Sequence, residues 1–283
     1  HPPGGTLPPV AVPAPPEPPA RRGAAMLSIR GLWGGYHKAA PVIRDLTMDL
    51  PRGQVTALLG PNGCGKSTLL RLCARLLEPA AGEVLLDGRP LSAIPRKELA
   101  RLVSVLPQGR PVSAMPVYTL VSHGRFPYLG YPRRMGREDR EKVEEALALT
   151  DTARYRHRSV AELSGGQRQK VYFAMALAQD TPLVLLDEPA TYLDLRHQLE
   201  LMELIRLLQS RGKTVAAVLH DLPQALEWAD RVAVLEDGKI ADQGPPAEVF
   251  DRGTLDRVFG LASHRLTVEG KERYFFTKAG GAV

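Results

Sequence analysis

The stretch Gly60-Pro61-Asn62-Gly63-Cys64-Gly65-Lys66-Ser67 constrains this chain more than any other. It has the spacing G-x-x-x-x-G-K-[ST], and its context is specific. The apolar run Val55–Leu59 precedes it, and Leu69, Leu72, Cys73 and Leu76 follow on one face of an expected helix. A buried strand, a glycine-rich turn and a helix in that order predict an α/β core. The glycines let the backbone wrap tightly, so that successive N–H groups converge on phosphate oxygens. The helix N-terminus adds its partial positive charge. In such a loop Lys66 neutralises β- and γ-phosphates, Ser67 ligates Mg2+, and Thr68 helps to hold the phosphates. The competing reading is a glycine-rich turn that merely precedes a helix. Cys64 reads as a tolerated small residue, because no base stands near it in sequence to make it a nucleophile.

A second apolar run, Leu183–Leu186, ends in Asp187 and Glu188. Open α/β sheets bind ligands at the carboxyl ends of their strands. There Asp187 can hold Mg2+ through a water, and Glu188 can polarise an attacking water. Two solvated acids at a strand end are the alternative. The run 215–219 is a further buried strand, and Leu195, Leu199, Met202 and Ile205 recur between the two at helical spacing. Strand, helix, strand implies a parallel sheet. Residues 27–32 and 46–50 alternate as half-buried strands, 83–86 reads as a strand before Asp87-Gly88, and 231–240 as a strand pair around Asp237-Gly238. From about 91 to 179 the pattern changes, with helices at 142–149 and 167–178 among proline-containing loops. This is a candidate inserted helical subdomain.

The 283 residues suffice for a sizeable core. Composition is that of a globular protein, with 44% apolar and 24% charged residues. The net charge of +6 reads as a solvated basic face, with a nucleic-acid or membrane-surface partner as the alternative. Cys64 and Cys73 are the only cysteines, which excludes a disulfide framework and suggests a reducing compartment. No apolar run reaches the length of about 18 residues that spans a bilayer. Residues 1–25 are crowded with prolines and poor in large apolar side chains, and are expected to be a disordered tail. They lack the apolar region of a secretory signal. Met26 is the expected native start, with the preceding residues an extension.

The stretch Leu163-Ser164-Gly165-Gly166-Gln167 narrows the class. Ser164 and Gln167 form an S-x-x-Q capping box for the next helix. That does not explain two consecutive glycines, which cost helix stability. They suit a helix start that a ligand's phosphate must approach closely. Here the chain resembles the ABC ATPases, whose signature is LSGGQ. The resemblance covers about residues 26–259. It implies an α/β fold with a P-loop NTPase core and mixed sheet, an N-terminal antiparallel β subdomain and the inserted helical subdomain. A single nucleotide-binding domain then spans 26–260, followed by an extension over 261–283.

The resemblance assigns roles to further residues. Tyr36 matches the aromatic that stacks on adenine, with Trp33 as a competitor. Gln108 matches the Q-loop glutamine that senses Mg2+ and the transport partner, Leu193-Asp194 the end of the D-loop, and His220 the switch histidine that touches the γ-phosphate. The catalytic set is thus Glu188, His220 and Gln108, and the metal set Ser67, Gln108 and Asp187. ATP binding falls to Tyr36, Gly60 to Thr68, and Ser164, Gly165, Gly166 and Gln167. The resemblance also implies a head-to-tail homodimer that buries two ATPs, with Ser164 and Gly166 of one copy facing Lys66 of the other.

Transport is favoured over soluble members of the family. The chain has one such domain, not two in tandem, and no sustained heptads separate Ser67 from Ser164. An Fe–S assembly ATPase is the remaining soluble alternative. Among importers the chain is similar to ATPases for ferric siderophores, haem and vitamin B12. The similarity lies in Val121-Ser122-His123-Gly124-Arg125-Phe126-Pro127, in Ala190 to Gln198 with its Tyr192, and in Ala217 to Ala225. Iron–siderophore uptake is the leading expectation. It implies integral-membrane permease subunits, an extracytoplasmic substrate-binding protein acting indirectly, no nucleic acid, and a peripheral position on the cytoplasmic face of the membrane. Tyr118, Phe126, Tyr128 and Tyr131 either receive a permease helix or pack the subdomain's own core. Tyr274-Phe275-Phe276-Thr277 reads as a last strand packed on the domain.

Overall fold

The computed structural model describes residues 24–37, 40–109, 112–191 and 193–279. The tail expected over residues 1–25 lies, up to residue 23, outside the described residues, and so does Tyr192.

Strands β1 (Ala25–Gly34) and β2 (Ile43–Pro51) pair antiparallel, with Leu27 opposite Leu50 and Ile29 opposite Met48. In β2 the buried Leu46, Met48 and Leu50 alternate with exposed Thr47 and Asp49, the period of a strand with one covered face. Next, β3 (Val55–Leu59) runs through the phosphate loop into α1 (Lys66–Cys73). Strand β4 (Ala81–Leu86) returns to β1, and the short β5 (Arg89–Pro90) flanks it, giving an antiparallel sheet of order β2-β1-β4-β5. Helix α2 (Arg96–Leu102) leads into β6 (Val103–Leu106). The helical part follows: α3 (Val117–Ser122), a 3-10 turn over His123–Tyr128, α4 (Arg137–Leu149) and α5 (Gly165–Gln179).

Beyond it come β7 (Leu183–Leu186), α6 (Leu195–Ser210), β8 (Thr214–Val218) and α7 (Leu222–Trp228). Strands β9 (Arg231–Glu236) and β10 (Lys239–Gly244) form the expected pair, turning through Asp237 and Gly238 at φ 48° and 77°. The core sheet has the order β10-β9-β3-β8-β7-β6, with every pairing parallel except that of β10 with β9, hence mixed.

Every residue of β3, β7 and β8 is buried, because both faces of the sheet are covered. Leu58, Leu185, Val218 and Leu235 point to the face shared with the antiparallel sheet and with Leu69 and Leu72 of α1. Their alternates Ala57, Leu59, Val184, Val215 and Val234 point to the face shared with Phe173 of α5, Leu201 and Ile205 of α6 and Leu226 of α7. Each fully buried Leu, Val or Phe contributes about 1.5–3 kcal/mol.

The stretch from about 91 to 179 is not helical throughout. It contains β6, the edge strand of the core sheet. The polar member of its Val-Ser-Val-Leu sequence, Ser104, is 1% exposed, and its hydroxyl accepts a hydrogen bond from Thr181 Oγ1 at 2.9 Å. A satisfied buried serine breaks the apolar run that marks the other core strands.

At the far end, α8 (Pro246–Asp251) and α9 (Thr254–Phe259) precede a hairpin of β11 (Leu261–Val268) and β12 (Lys271–Lys278). Tyr274 of β12 is buried, with its ring 4.9 Å from that of Phe250, so the expected last strand does pack on the domain. Among the described residues no helix is long and apolar enough to cross a membrane.

Candidate active site

Gly60 leaves the carboxyl end of β3 at φ 150°, followed by Gly63 at 79° and Gly65 at 109°. A Cβ on Gly60 would stand 2.3 Å from the Leu235 carbonyl oxygen, so the turn admits glycine alone there. Among the described residues no side chain caps the N-terminus of α1, which leaves its first N–H groups for an outside acceptor. Lys66 is 5% exposed and donates to the carbonyls of Gly60 at 2.7 Å and Pro61 at 2.9 Å. Among the described residues no carboxylate pairs with it. A buried ammonium resting on two carbonyls, beside uncapped N–H groups, is a cradle for an anion. Cys64 is buried in the same loop, and burial pushes its thiol pKa up against the attraction of Lys66, so it carries no thiolate.

Asp187 continues the ladder of β6 and β7 by one residue, donating its N–H to Leu106 O at 2.8 Å. Its carboxylate is 3% exposed and accepts the Ser67 hydroxyl at 2.7 Å. Burial raises its pKa, the Ser67 hydrogen bond opposes this, and the nearby Glu188 charge adds to the rise. The Arg71 charge opposes the rise without cancelling it.

Glu188 adopts a left-handed backbone at φ 49°, a conformation a glutamate holds only where its surroundings enforce it. Its Oε1 lies 2.9 Å from His220 Nε2, which follows β8 by two residues. Its Oε2 accepts from Gln108 Nε2 at 2.5 Å and from Thr191 Oγ1 at 3.2 Å. Gln108 follows β6 by two residues. The adjacency of β3, β8, β7 and β6 in the sheet thus brings the phosphate loop, His220, the Asp187-Glu188 pair and Gln108 to one edge. A cleft of about 250 Å³ opens beside Glu188, Thr191, Gln198, His220 and Gln224.

Tyr36 stands past the end of β1, 55% exposed. Arg71 of α1 donates to its hydroxyl at 2.6 Å, with the guanidinium 5.5 Å from the ring centre. Trp33 is instead built into β1 opposite Ala81. Ser164 caps α5 as the capping box requires: its Oγ accepts the Gln167 N–H at 3.3 Å, and Gln167 Oε1 accepts the Ser164 N–H at 3.1 Å. Among the described residues, Ser164 to Gln167 share no hydrogen bond with the phosphate loop.

The sequence profile described as ABC transporter matches residues 43–191. The ferric enterobactin transport ATP-binding protein FepC of Escherichia coli is 44% identical, covering 80% of this chain and 84% of that protein. The petrobactin import ATP-binding protein FpuD of Bacillus anthracis is 43% identical over 78% of this chain and 81% of its own length. The hemin import ATP-binding protein HmuV of Streptomyces coelicolor is 43% identical over 88% and 87%. This chain belongs to the ABC transporter family. It is one of the family's ATP-binding, ATP-hydrolysing subunits, with the P-loop NTPase core expected of them. The fold agrees: an inward-facing metal-chelate type ABC transporter superposes with a TM-score of 0.77 at 27% identity, over 90% of this chain and 97% of that one.

Within this ABC subunit the structure gathers Gly60 to Thr68, Gln108, Asp187, Glu188 and His220, and leaves the Ser164–Gln167 turn without a bond to them. Sequence reasoning overlooked Thr191 and Arg71, because neither a hydroxyl after a strand nor an arginine on a helix is a local signal. The aromatics after Gln108 divide. The Tyr128 hydroxyl donates to Gln179 O at 2.8 Å, the Phe126 ring lies tilted 4.3 Å from that of His123, and Tyr118 packs against the helical core. Tyr131 is fully exposed.

Proposed function

We propose that this ABC subunit hydrolyses ATP within a head-to-tail pair of its own copies and so powers uptake of ferric siderophores through a membrane permease. The observation that carries the catalytic part is the grip on both oxygens of Glu188, by His220 on one side and by Gln108 and Thr191 on the other. A carboxylate so oriented at the mouth of a phosphate cradle is placed to take a proton from a water attacking the γ-phosphate. Lys66 leaves its two carbonyls for the β- and γ-phosphates, and the uncapped N–H groups of α1 bind their oxygens. Tyr36 offers its exposed ring to adenine, and Gly60, Pro61, Asn62, Gly63, Cys64 and Gly65 shape the cradle.

The residues fit Mg2+. Ser67 Oγ and Asp187 Oδ1 are hard oxygen donors 2.7 Å apart, and Asp187 is a buried carboxylate whose pKa stays raised despite the Arg71 charge. Gln108 is bonded through its amide nitrogen, which leaves the amide oxygen for the metal. The ion would neutralise phosphate charge. His220 holds Glu188 and reaches toward the γ-phosphate. Ser164, Gly165, Gly166 and Gln167 serve the ATP of the second copy, since within one chain they stand unconnected to the loop they must complete. ATP thereby closes the pair, and hydrolysis opens it.

The cargo assignment leans on the enterobactin and petrobactin relatives; the hemin relative, equally similar, supports haem as a second reading. Permease subunits, an extracytoplasmic binding protein, and a peripheral place on the cytoplasmic face of the membrane complete the proposal. It is tested by ATP hydrolysis in membranes that hold the partner permease, with binding protein loaded or empty. Stimulation by ferric-siderophore-loaded protein is expected. Stimulation by the haem-loaded protein alone would overturn the cargo, and hydrolysis that no permease alters would overturn the transport role.

A further inference from the structure

His197 belongs to none of the groups above. It lies in the first turn of α6, where its Nδ1 contacts Asp194 Oδ1 at 2.7 Å. The same oxygen accepts the His197 backbone N–H at 2.9 Å, so the carboxylate that caps α6 also fixes the ring. The far edge of the ring lies against α5. A Cβ on Gly166 would stand 2.5 Å from His197 Cδ2 and 2.7 Å from Nε2, so the ring would have to move, against its tie to Asp194. A Cβ on Gly165 would meet nothing within 4 Å. Of the two signature glycines, only Gly166 lies directly under a ring of another helix. Two further ties run alongside. Gln169 Nε2 donates to Pro189 O at 2.8 Å, and Lys170 Nζ pairs with Glu200 Oε2 at 2.7 Å.

We infer that His197 is a positioning residue for the glycine turn that opens α5, acting through its ring on Gly166. The inference rests on the reading that this turn serves the ATP of a second copy. Pro189 directly follows Glu188, so the turn and the catalytic carboxylate are fastened to one loop. The ring keeps the N–H groups offered to the partner's nucleotide in register with the carboxylate that acts on the chain's own. His197 itself touches neither nucleotide.

The test uses the full chain and two readouts. With His197→Ala, the ATP concentration that half-saturates phosphate release rises several-fold, while the affinity of the dilute chain for a fluorescent ATP analogue stays unchanged. His197→Phe, which keeps a flat ring against Gly166, restores most of the loss. The second readout is a thermal cycle. Gly166→Ala lowers Tm when His197 is present and does not when it is replaced by alanine, since alanine is otherwise the better helix residue. Unchanged half-saturation, or an equal Tm loss in both backgrounds, overturns the inference. A failure of the unaltered chain to hydrolyse ATP would instead strike the paired-site reading, and the thermal cycle would still decide whether His197 sets the turn.

Discussion

Glu188 and His220 meet across the ends of two adjacent strands, Oε1 to Nε2 at 2.9 Å, while the other carboxylate oxygen is held by Gln108 and Thr191. Both carboxylate oxygens are thereby engaged. Glu188→Gln keeps its shape and removes its basicity. ATP binding should persist and turnover fall by roughly 10²–10⁴-fold, the range for loss of a general base. Nucleotide binding and phosphate release measured side by side check this, and hydrolysis at the unaltered rate would remove Glu188 from its role.

Asp187 gives a prediction about pH. Burial raises its pKa, so the folded chain holds that proton more tightly than the unfolded chain does. The resulting stability is complete below the unfolded pKa and is lost as pH rises through the folded one. Near neutral pH the ionised, buried carboxylate is a net cost to the nucleotide-free protein. Asp187→Asn should therefore raise its Tm at neutral pH, with the gain shrinking as pH falls through the carboxylate range. The same variant should lose stabilisation by ATP with Mg2+. A Tm series across pH, with and without that ligand, reads both effects; a lower Tm at neutral pH would contradict the sign.

The parts legible in sequence are those written locally. Strand β3, its loop and α1 are contiguous, and the Ser164 capping box spans four residues, so spacing alone places them. Strand β6 escaped because its buried Ser104 is satisfied by Thr181, a partner far along the chain. The contacts of Glu188 with Gln108 and His220 depend on which strands lie side by side, and a local pattern does not carry strand order. Gly166 shows the same limit from the other side. Its sequence context suggests ligand approach, whereas the His197 ring is a second reason for glycine that arrives from another helix.

The glycines of the phosphate loop should not be equivalent. Gly60→Ala would drive a Cβ into the Leu235 carbonyl at 2.3 Å, against a backbone atom of the core sheet that has nowhere to move. Gly63→Ala meets no neighbour within 4 Å and suffers only from its φ of 79°. The second change should cost about 1–2 kcal/mol, and the first clearly more, with poor yield of folded protein. Urea unfolding of both variants makes the comparison, and equal losses would mean that the β3 exit is looser than its contacts imply.

Arg125 and Tyr128 are predicted to act as a rivet at the end of α5. Arg125 is 3% exposed and donates to Asp139 Oδ1 at 3.0 Å and to Ala178 O at 2.8 Å, with its guanidinium 3.8 Å from the Tyr128 ring centre. The Tyr128 hydroxyl takes the next carbonyl, that of Gln179. These are the last carbonyls of α5, which lack partners within the helix. Two side chains that follow Gln108 in sequence thus finish the helix that Ser164 begins. Tyr128→Phe removes one hydrogen bond and should cost about 1 kcal/mol. Tyr128→Ala also removes the stacked ring and should cost about 3 kcal/mol. Arg125→Met strands the Asp139 carboxylate and should cost about 3–5 kcal/mol. That order, measured by urea unfolding, also bears on the permease: any uncoupling in Tyr128→Ala would come through a loosened α5, whereas Tyr131, fully exposed, can be replaced by alanine without loss of stability. A Tyr128→Ala protein as stable as Tyr128→Phe would show that the ring is not packed against Arg125 in solution.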